Sequence, residues 1–186
     1  MSPQPTRRRE NHHGRDSVVF ERTFRAPAES VWAAVTDSDR LARWIGTWSG
    51  DPASGSVVVL MNGEGNDAEP ETYAIEACEA PRLLVLRTGI PVTGVAWHLV
   101  LELTERGGIT TLTFSQSLSD AETAGSVAPG WASYLDRLVA AETGGDVAAI
   151  GFDDYFPAQA EHYRAMFAEG SRRPPRETLE VEHLFD

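Results

Sequence analysis

The chain has 186 residues, a formal net charge of −12 and a hydrophobic content of 41%, which suits one globular domain with its own core. All 16 basic residues are arginine, and the lack of lysine excludes a P-loop lysine, a Schiff-base lysine and a pyridoxal-phosphate enzyme. The acidic balance also argues against a nucleic-acid partner, which usually requires a positive face, and favours a neutral, apolar ligand.

Residues 1–16 are polar, include two prolines and show no apolar periodicity, so we predict a disordered tail there. We interpret the three arginines at 7–9 as solvated charge and not as a phosphate site. His12 and His13 are adjacent in the same segment. Neighbouring histidines in a flexible tail seldom bind a metal ion specifically, so we predict no metal site there.

The first strand is predicted at 17–25, where apolar residues recur at even spacing. The Ala-Pro pair that follows ends the strand, and proline suits the first turn of a helix because its missing N–H needs no partner there. The segment PAESVWAAVTD therefore begins a short helix. A second short helix is predicted at 38–44, capped by Asp37 or Ser38.

Further strands are predicted from β-branched or alternating runs that lie between turns. They are 56–62, 71–77, 82–88, 94–105 and 109–119. The turns recur at short intervals, which indicates an antiparallel meander and not βαβ units.

Two helices close the pattern. A long helix is predicted over 121–143, which Pro129 should kink or restart, because proline removes a backbone hydrogen bond. A last helix at 157–168 carries an apolar stripe. Residues 169–186 are predicted to be a loose tail, which leaves one domain at 17–168.

Alternating strands need one covered face, and the long helix is the element able to cover it. We therefore predict an α+β helix-grip fold, in which a curved antiparallel sheet of about six or seven strands wraps around the long helix, with two short helices after the first strand. A space between sheet and helix follows from this shape, and we expect that space to carry the function.

The chain also carries several short motifs in a fixed order. They are Ala26-Pro27, Val31-Trp32, Trp44, Gly130-Trp131, and Leu135 with Leu138. With strands between Trp44 and Gly130, this order resembles the START-like SRPBCC superfamily, and within it the branch named after the activator of the heat-shock protein 90 ATPase. The resemblance covers 17–145, and 152–167 resembles a helix appended in some bacterial members.

The resemblance implies a deep cavity between the sheet and the long helix. Members of the superfamily bind lipids, polyketides or plant hormones, and some act as cyclases or sequester a drug. The family name refers to a eukaryotic co-chaperone with a further domain that this sequence does not show, so chaperone activation is not carried over.

The candidate cavity residues are large or apolar side chains expected on the covered face. They are Trp44, Met61, Tyr73, Trp97, Leu99, Phe114, Gln116, Trp131, Tyr134, Leu135 and Leu138. The aliphatic members are predicted mainly to fill the core, whereas a large ring with a polar edge suits a pocket that must orient its ligand. Gln116 is in register with buried residues, and a buried amide needs partners. It either bonds a neighbouring side chain or orients a ligand.

No catalytic residue, metal site or cofactor is predicted. The sequence has no HExxH, paired CxxC or G-x-S-x-G motif, and His98 should point away from the helix. The single cysteine, Cys78, lies near a strand end without a clear basic neighbour, so a nucleophilic role is not favoured.

One cysteine cannot form an intramolecular disulfide, and no apolar run approaches the ~18 residues of a membrane span. We therefore expect a cytoplasmic location and no membrane insertion. Monomer and homodimer both remain open as oligomeric states.

Three functions are compatible with these features. The first is a non-enzymatic binder or carrier of a small apolar molecule. The second is a cyclase or dehydratase acting on a polyketide-like or aromatic substrate, which would need an inward Arg, His or acid, for which Arg87 is a candidate. The third is a protein-interaction or co-chaperone-like role, which would need an exposed apolar patch, for instance on the 157–168 helix.

Overall fold

The computed structural model describes residues 7–62, 69–88, 96–118 and 120–170. The strands are β1 (Arg7–His12), β2 (Arg15–Phe24), β3 (Gly46–Ser49), β4 (Ser56–Met61), β5 (Glu71–Glu79), β6 (Leu83–Thr88), β7 (His98–Arg106) and β8 (Ile109–Ser117). The α-helices are α1 (Ala28–Thr36), α2 (Ser38–Leu41), α3 (Ala121–Thr143) and α4 (Ala160–Gly170).

The described strands form one antiparallel sheet in the order β1-β2-β8-β7-β6-β5-β4-β3. Along the central strands, the residues that face α3 alternate with outward-facing ones, as in Leu99, Val100 and Leu101 of β7. The buried inner residues and one face of α3 form a single apolar core. The α+β helix-grip prediction is thus confirmed, with eight strands instead of about six or seven.

Strand β1 contradicts the prediction that all of residues 1–16 are disordered. It pairs with β2 along its whole length, from Arg7 opposite Phe20 to His12 opposite Arg15. The strand has no apolar face of its own, because its side chains are charged or polar, so it gave no hydrophobic periodicity. Pairing with the backbone of β2 and ion pairs such as Arg9–Asp16 hold it in place. Residues 1–6 lie outside the described part of the chain.

Strand β3 was also not predicted from the sequence, because four residues are too few to show an alternating hydrophobic pattern. Its first residue, Gly46, has a φ of 152°, and a Cβ there would lie 2.1 Å from the carbonyl oxygen of Leu60. Only glycine allows the chain to approach β4 this closely. The backbone N–H of Asn62 donates to the carbonyl of Ile45 at 2.6 Å, which closes this end of the sheet.

The helices differ from the predictions mainly at their ends. Helix α2 is shorter than 38–44, and Asp37 caps it by accepting from two backbone N–H groups. Helix α3 runs through Pro129 without restarting, since packing on the sheet outweighs the proline's local cost. Helix α4 begins at Ala160 and not at 157, and the tail from 171 onward lies outside the described residues.

Helix α3 is tied to the inner face of the sheet by a polar contact beside the apolar core. Arg22 of β2 makes an ion pair with Asp136 of α3 at 2.7 Å, and the Tyr155 hydroxyl donates to the same carboxylate at 2.6 Å. Helix α4 packs against α3 and buries Tyr163 beside Phe20. These contacts fix the helix above the sheet and determine where space remains between them.

Candidate ligand-binding pocket

An apolar pocket of about 210 Å³ lies where the sheet curves away from α3. Its floor is formed by inward side chains of β4 to β8, and its roof by α3 together with α1 and α2. Seven of the candidate residues line it: Trp44, Met61, Tyr73, Leu99, Phe114, Trp131 and Leu135. Pairing across the antiparallel strands brings them together, for example Leu101 of β7 opposite Phe114 of β8.

Three tryptophans give the pocket an aromatic wall near α1: Trp32, Trp44 and Trp48. The Trp44 indole N–H donates to the carbonyl of Ala34 at 3.0 Å, and the Trp48 indole N–H donates to that of Thr36 at 2.8 Å. Both carbonyls belong to the last turn of α1, where helical partners are missing. The two indole N–H groups are therefore satisfied, and the rings offer apolar surface to the pocket.

Gln116 lies beside the pocket and is 0% exposed. Its Oε1 accepts a hydrogen bond from the indole N–H of Trp131, whose ring packs on Phe114 with centroids 4.4 Å apart. Its Nε2 is buried and has no hydrogen-bond partner among the described residues. The amide thus orients one pocket-lining ring and keeps a donor unused, which costs about 1–3 kcal/mol in a buried position.

Tyr73 is the buried titratable side chain in the pocket wall. Burial, with smaller effects from Glu71 and Tyr134, raises the pKa of its phenol, so the hydroxyl stays neutral at ordinary pH. The hydroxyl lies 3.6 Å from the sulfur of Met61. Burial also raises the pKa of the Glu71 carboxyl, and this effect exceeds the opposite effect of a hydrogen bond with Thr88. The pocket wall therefore offers a neutral hydroxyl at this end.

A β-bulge in β5 changes which side chains face the pocket. The pairing with β6 shifts between Ile75 and Ala77, so Cys78 comes to lie opposite Leu84. Because of this shift, Cys78 and not Ala77 follows Tyr73 and Ile75 on the pocket face. Cys78 is exposed, which places its thiol at the pocket mouth. The simple alternation predicted for 71–77 was wrong at its last residue.

Four candidate residues are not part of the lining. Gln116 and Leu138 are fully buried in the core, and the hydroxyl of Tyr134 donates to the carbonyl of Asn62 at 3.1 Å. Trp97 precedes β7 instead of lying within the predicted strand 94–105, and its backbone N–H donates to Thr88 Oγ1 at 3.1 Å. Residues 94 and 95 lie outside the described part of the chain.

The two polar residues considered on β6 and β7 both lie on the outer face. His98 points away from the helix, as expected, and its Nδ1 lies 3.2 Å from a carboxylate oxygen of Glu76. Arg87 donates to the other oxygen of Glu76 at 2.9 Å. Arg87 is therefore not the inward cation that the enzyme hypothesis required.

About two thirds of the residues that line the pocket were not among the candidates. The missed residues include Trp32, Val35, Leu41, Trp48, Val57, Val59, Ile75, Leu84, Leu86 and Leu101. Alternation with Met61 could have identified Val57 and Val59, since the three side chains share a face of β4. Trp48 gave no such signal, because it lies in the short strand β3.

No helix in the described residues is long and apolar enough to cross a bilayer. A family model described as Activator of Hsp90 ATPase homolog 1-like protein matches residues 25–142, well over half of the chain. The chain belongs to this family. The resemblance drawn from the Ala-Pro, Val-Trp and Gly-Trp motifs is therefore confirmed, and the match spans α1 to the end of α3.

Solved structures are similar to this chain in fold. CalU16 from Micromonospora echinospora is similar, with a TM-score of 0.66 and 22% identity over 88% of this chain and 95% of CalU16. A protein encoded by gene BPP1335 of Bordetella parapertussis has a TM-score of 0.66 and 24% identity over 100% of both chains. These two likenesses show the fold.

DynU16, a protein in the dynemicin biosynthetic locus, has a TM-score of 0.59 and 28% identity. The match covers 69% of this chain and 48% of DynU16. Comparison with curated proteins found no match.

Proposed function

We propose that this member of the Activator of Hsp90 ATPase homolog 1-like family binds a small apolar molecule in the pocket between sheet and α3. The observation that carries the proposal is the pocket itself, about 210 Å³ of space lined almost entirely by aliphatic and aromatic side chains. Well-packed cores leave few voids larger than a water molecule. A space of this size beneath three tryptophans is therefore costly unless a ligand fills it.

The volume limits the size of the ligand. A cavity of roughly 150 Å³ lined by apolar side chains binds benzene, so this pocket suits a one- or two-ring molecule. The neutral phenol of Tyr73 can give such a ligand one hydrogen bond. A fixed anion on the ligand is disfavoured, because the lining residues include no basic side chain. DynU16 supports the proposal weakly, since its locus is a biosynthetic one.

The proposal is tested by titrating the protein with the neutral fluorophore N-phenyl-1-naphthylamine and following its emission. Its naphthyl ring pair matches the size of the pocket, and its phenyl ring can extend through the pocket mouth beside Cys78. We expect saturable binding at one site per chain, with naphthalene as a competitor. Val59→Phe should weaken binding at least tenfold, since Val59 lines the pocket. Val58→Phe is the matched control, because Val58 is 39% exposed on the outer face of the same strand.

Two results would contradict the proposal. One is a folded protein that does not bind the fluorophore, which means that the pocket is closed in solution. The other is equal weakening by Val58→Phe and Val59→Phe, which means that the fluorophore binds elsewhere. Neither result would support the protein-interaction hypothesis through α4. Ala160, Tyr163 and Phe167 on the apolar side of that helix are buried and do not form an exposed patch.

A further inference from the structure

The turn between β1 and β2 holds two consecutive histidines in a defined position. His12 ends β1 and pairs with Arg15, which leaves His13 and Gly14 as a two-residue turn. Both turn residues have positive φ, 49° for His13 and 77° for Gly14, as a type I′ hairpin turn requires. A positive φ is uncommon for residues other than glycine, and histidine is one of the few side chains enriched there. The hairpin therefore holds His13 in a conformation that a flexible tail would rarely adopt.

The two imidazoles converge on one carboxylate on the outer face of the sheet. His12 Nε2 lies 3.0 Å from Oε2 of Glu102, and His13 Nε2 lies 3.1 Å from its Oε1. One ligand atom from each of the three residues lies within 4.8 Å of the other two. In a tetrahedral zinc site with bonds of 2.0–2.2 Å, ligand atoms are about 3.3 Å apart. The three groups are thus close to the spacing that one ion needs.

A second contact orients the more buried histidine. His12 Nδ1 lies 2.7 Å from Ser115 Oγ, and the His12 side chain is 15% exposed. A histidine that bonds through Nδ1 to a fixed partner keeps its Nε2 lone pair for a metal ion, as metal-binding histidines usually do. The serine therefore acts as an outer partner for a ligand group already directed at Glu102.

His12 and His13 line an outer cleft of about 210 Å³ that also includes Arg15 and His98, and Glu102 lies within hydrogen-bond distance of both imidazoles. The cleft is on the opposite face of the sheet from the apolar pocket: Ser115 lines the cleft, and Phe114 before it lines the pocket. A ligand could therefore occupy the fourth position of a bound ion without entering the pocket.

We propose that His12, His13 and Glu102 bind a divalent transition-metal ion, with Zn²⁺ the best match to two imidazoles and one carboxylate. Three protein ligands leave one position open for water or an exogenous ligand. This inference does not rest on the apolar pocket, and each can fail without the other.

The test is a calorimetric titration of untagged, chelator-treated full-length protein with Zn²⁺. We expect one ion per chain and a coincident shift of the His12 and His13 ring resonances in NMR spectra. His13→Asn and Glu102→Gln should each weaken binding more than tenfold. Asparagine tolerates the positive φ of the turn, so the first variant keeps the hairpin. Ser115→Ala should weaken binding about tenfold, as loss of an outer partner does.

His162→Gln, on α4, is the control and should bind Zn²⁺ as the wild type does. Titration with Co²⁺ gives an independent readout, since a four-coordinate site produces strong visible absorption. The proposal is overturned if the folded wild type binds no Zn²⁺ saturably. It is also overturned if Glu102→Gln binds as tightly as the wild type, because the histidine–carboxylate contacts would then be ion pairs alone.

Discussion

At the scale of single residues, the pair formed by Gln116 and Trp131 determines one wall of the pocket. Gln116 uses its oxygen to hold the indole N–H, while its own buried amide N–H groups are unpaired among the described residues. Removing one partner of a buried pair costs more than replacing both by apolar groups. A double-mutant cycle can therefore measure the energetic coupling between the amide and the indole.

We predict that Trp131→Phe lowers the free energy of unfolding by about 2 kcal/mol, since it leaves all of the Gln116 amide unpaired. Gln116→Met should cost less, about 1 kcal/mol, because it also removes the unsatisfied N–H groups. The double variant should be closer to the wild type than the sum of the single changes. Urea unfolding measures all three, and additive losses would contradict the coupling.

Tyr73 makes the stability of the fold depend on alkaline pH. Burial raises the pKa of its phenol above the ordinary value, so the unfolded chain loses this proton at lower pH than the folded chain does. The contribution is fully present below about pH 10, the unfolded tyrosine pKa, and declines as pH rises above it. We predict that the unfolding free energy falls as the pH rises above about 10, by up to ~1.4 kcal/mol per pH unit.

Tyr73→Phe is the matched variant for this prediction, because it keeps the ring and removes the proton. Urea unfolding at several pH values should give a shallower decline for the variant than for the wild type. Parallel declines would show that other groups cause the alkaline sensitivity.

At the scale of elements, the bulge in β5 determines what lies at the mouth of the pocket. The shift between Ile75 and Ala77 brings Cys78 onto the pocket face. We predict that alkylation of Cys78 by N-ethylmaleimide weakens binding of N-phenyl-1-naphthylamine, and that a bound fluorophore slows the alkylation. Mass spectrometry follows the modification, and fluorescence follows binding.

A cysteine moved by one residue provides the control for the bulge. Ala77→Cys in a Cys78→Ala background places the thiol on the opposite face of β5, since neighbouring residues of a strand point in opposite directions. Its alkylation should leave fluorophore binding unchanged. Equal inhibition through either cysteine would mean that the modification acts on the strand and not at the pocket mouth.

Hydrophobic patterns in the sequence could predict the helices and strands that bury one face. Alternating or β-branched runs between turns identified β2 and β4 to β8, and the spacing of Trp131, Leu135 and Leu138 identified α3. Burial of one face of an element requires apolar residues at regular spacing, and that spacing can be found in the sequence. Strand β1 carries charge on an edge and has no such face. The bulge, the short strand β3 and the His13 turn depend on backbone pairing with a neighbouring strand and not on burial of an apolar face, so they leave no hydrophobic period.

The sequence predicted an apolar pocket between the sheet and α3, but it did not predict most of the residues that line it. Leu99 and Phe114 were found because their strands alternate regularly, and Trp131 because it shares a helix face with Leu135. Trp97 and Tyr134 were candidates but are not among the lining residues: Trp97 lies before β7, and the Tyr134 hydroxyl donates to the carbonyl of Asn62. Which rings line a curved space depends on where the sheet bends, and that is a property of the assembled strands.

At the scale of the whole molecule, the sheet separates two chemical environments. The inner face carries the apolar pocket, and the outer face carries imidazoles and carboxylates. Neighbouring residues of β8 serve each side, with Gln116 bonded to Trp131 and Ser115 bonded to His12. The acidic net charge favours a cation on the outer face, whereas the described residues that line the apolar pocket carry no charged side chain.

Both ends of the sheet discourage another chain from joining it. An open sheet exposes unpaired backbone groups at its edges, and a long flat edge strand can recruit a strand from a neighbour and start aggregation. Here β1 carries Arg8 in ion pairs with Glu10 and Glu21, and β3 ends after four residues. The arginines near the start of the chain therefore disfavour edge-to-edge association of the sheet. This role requires no binding partner.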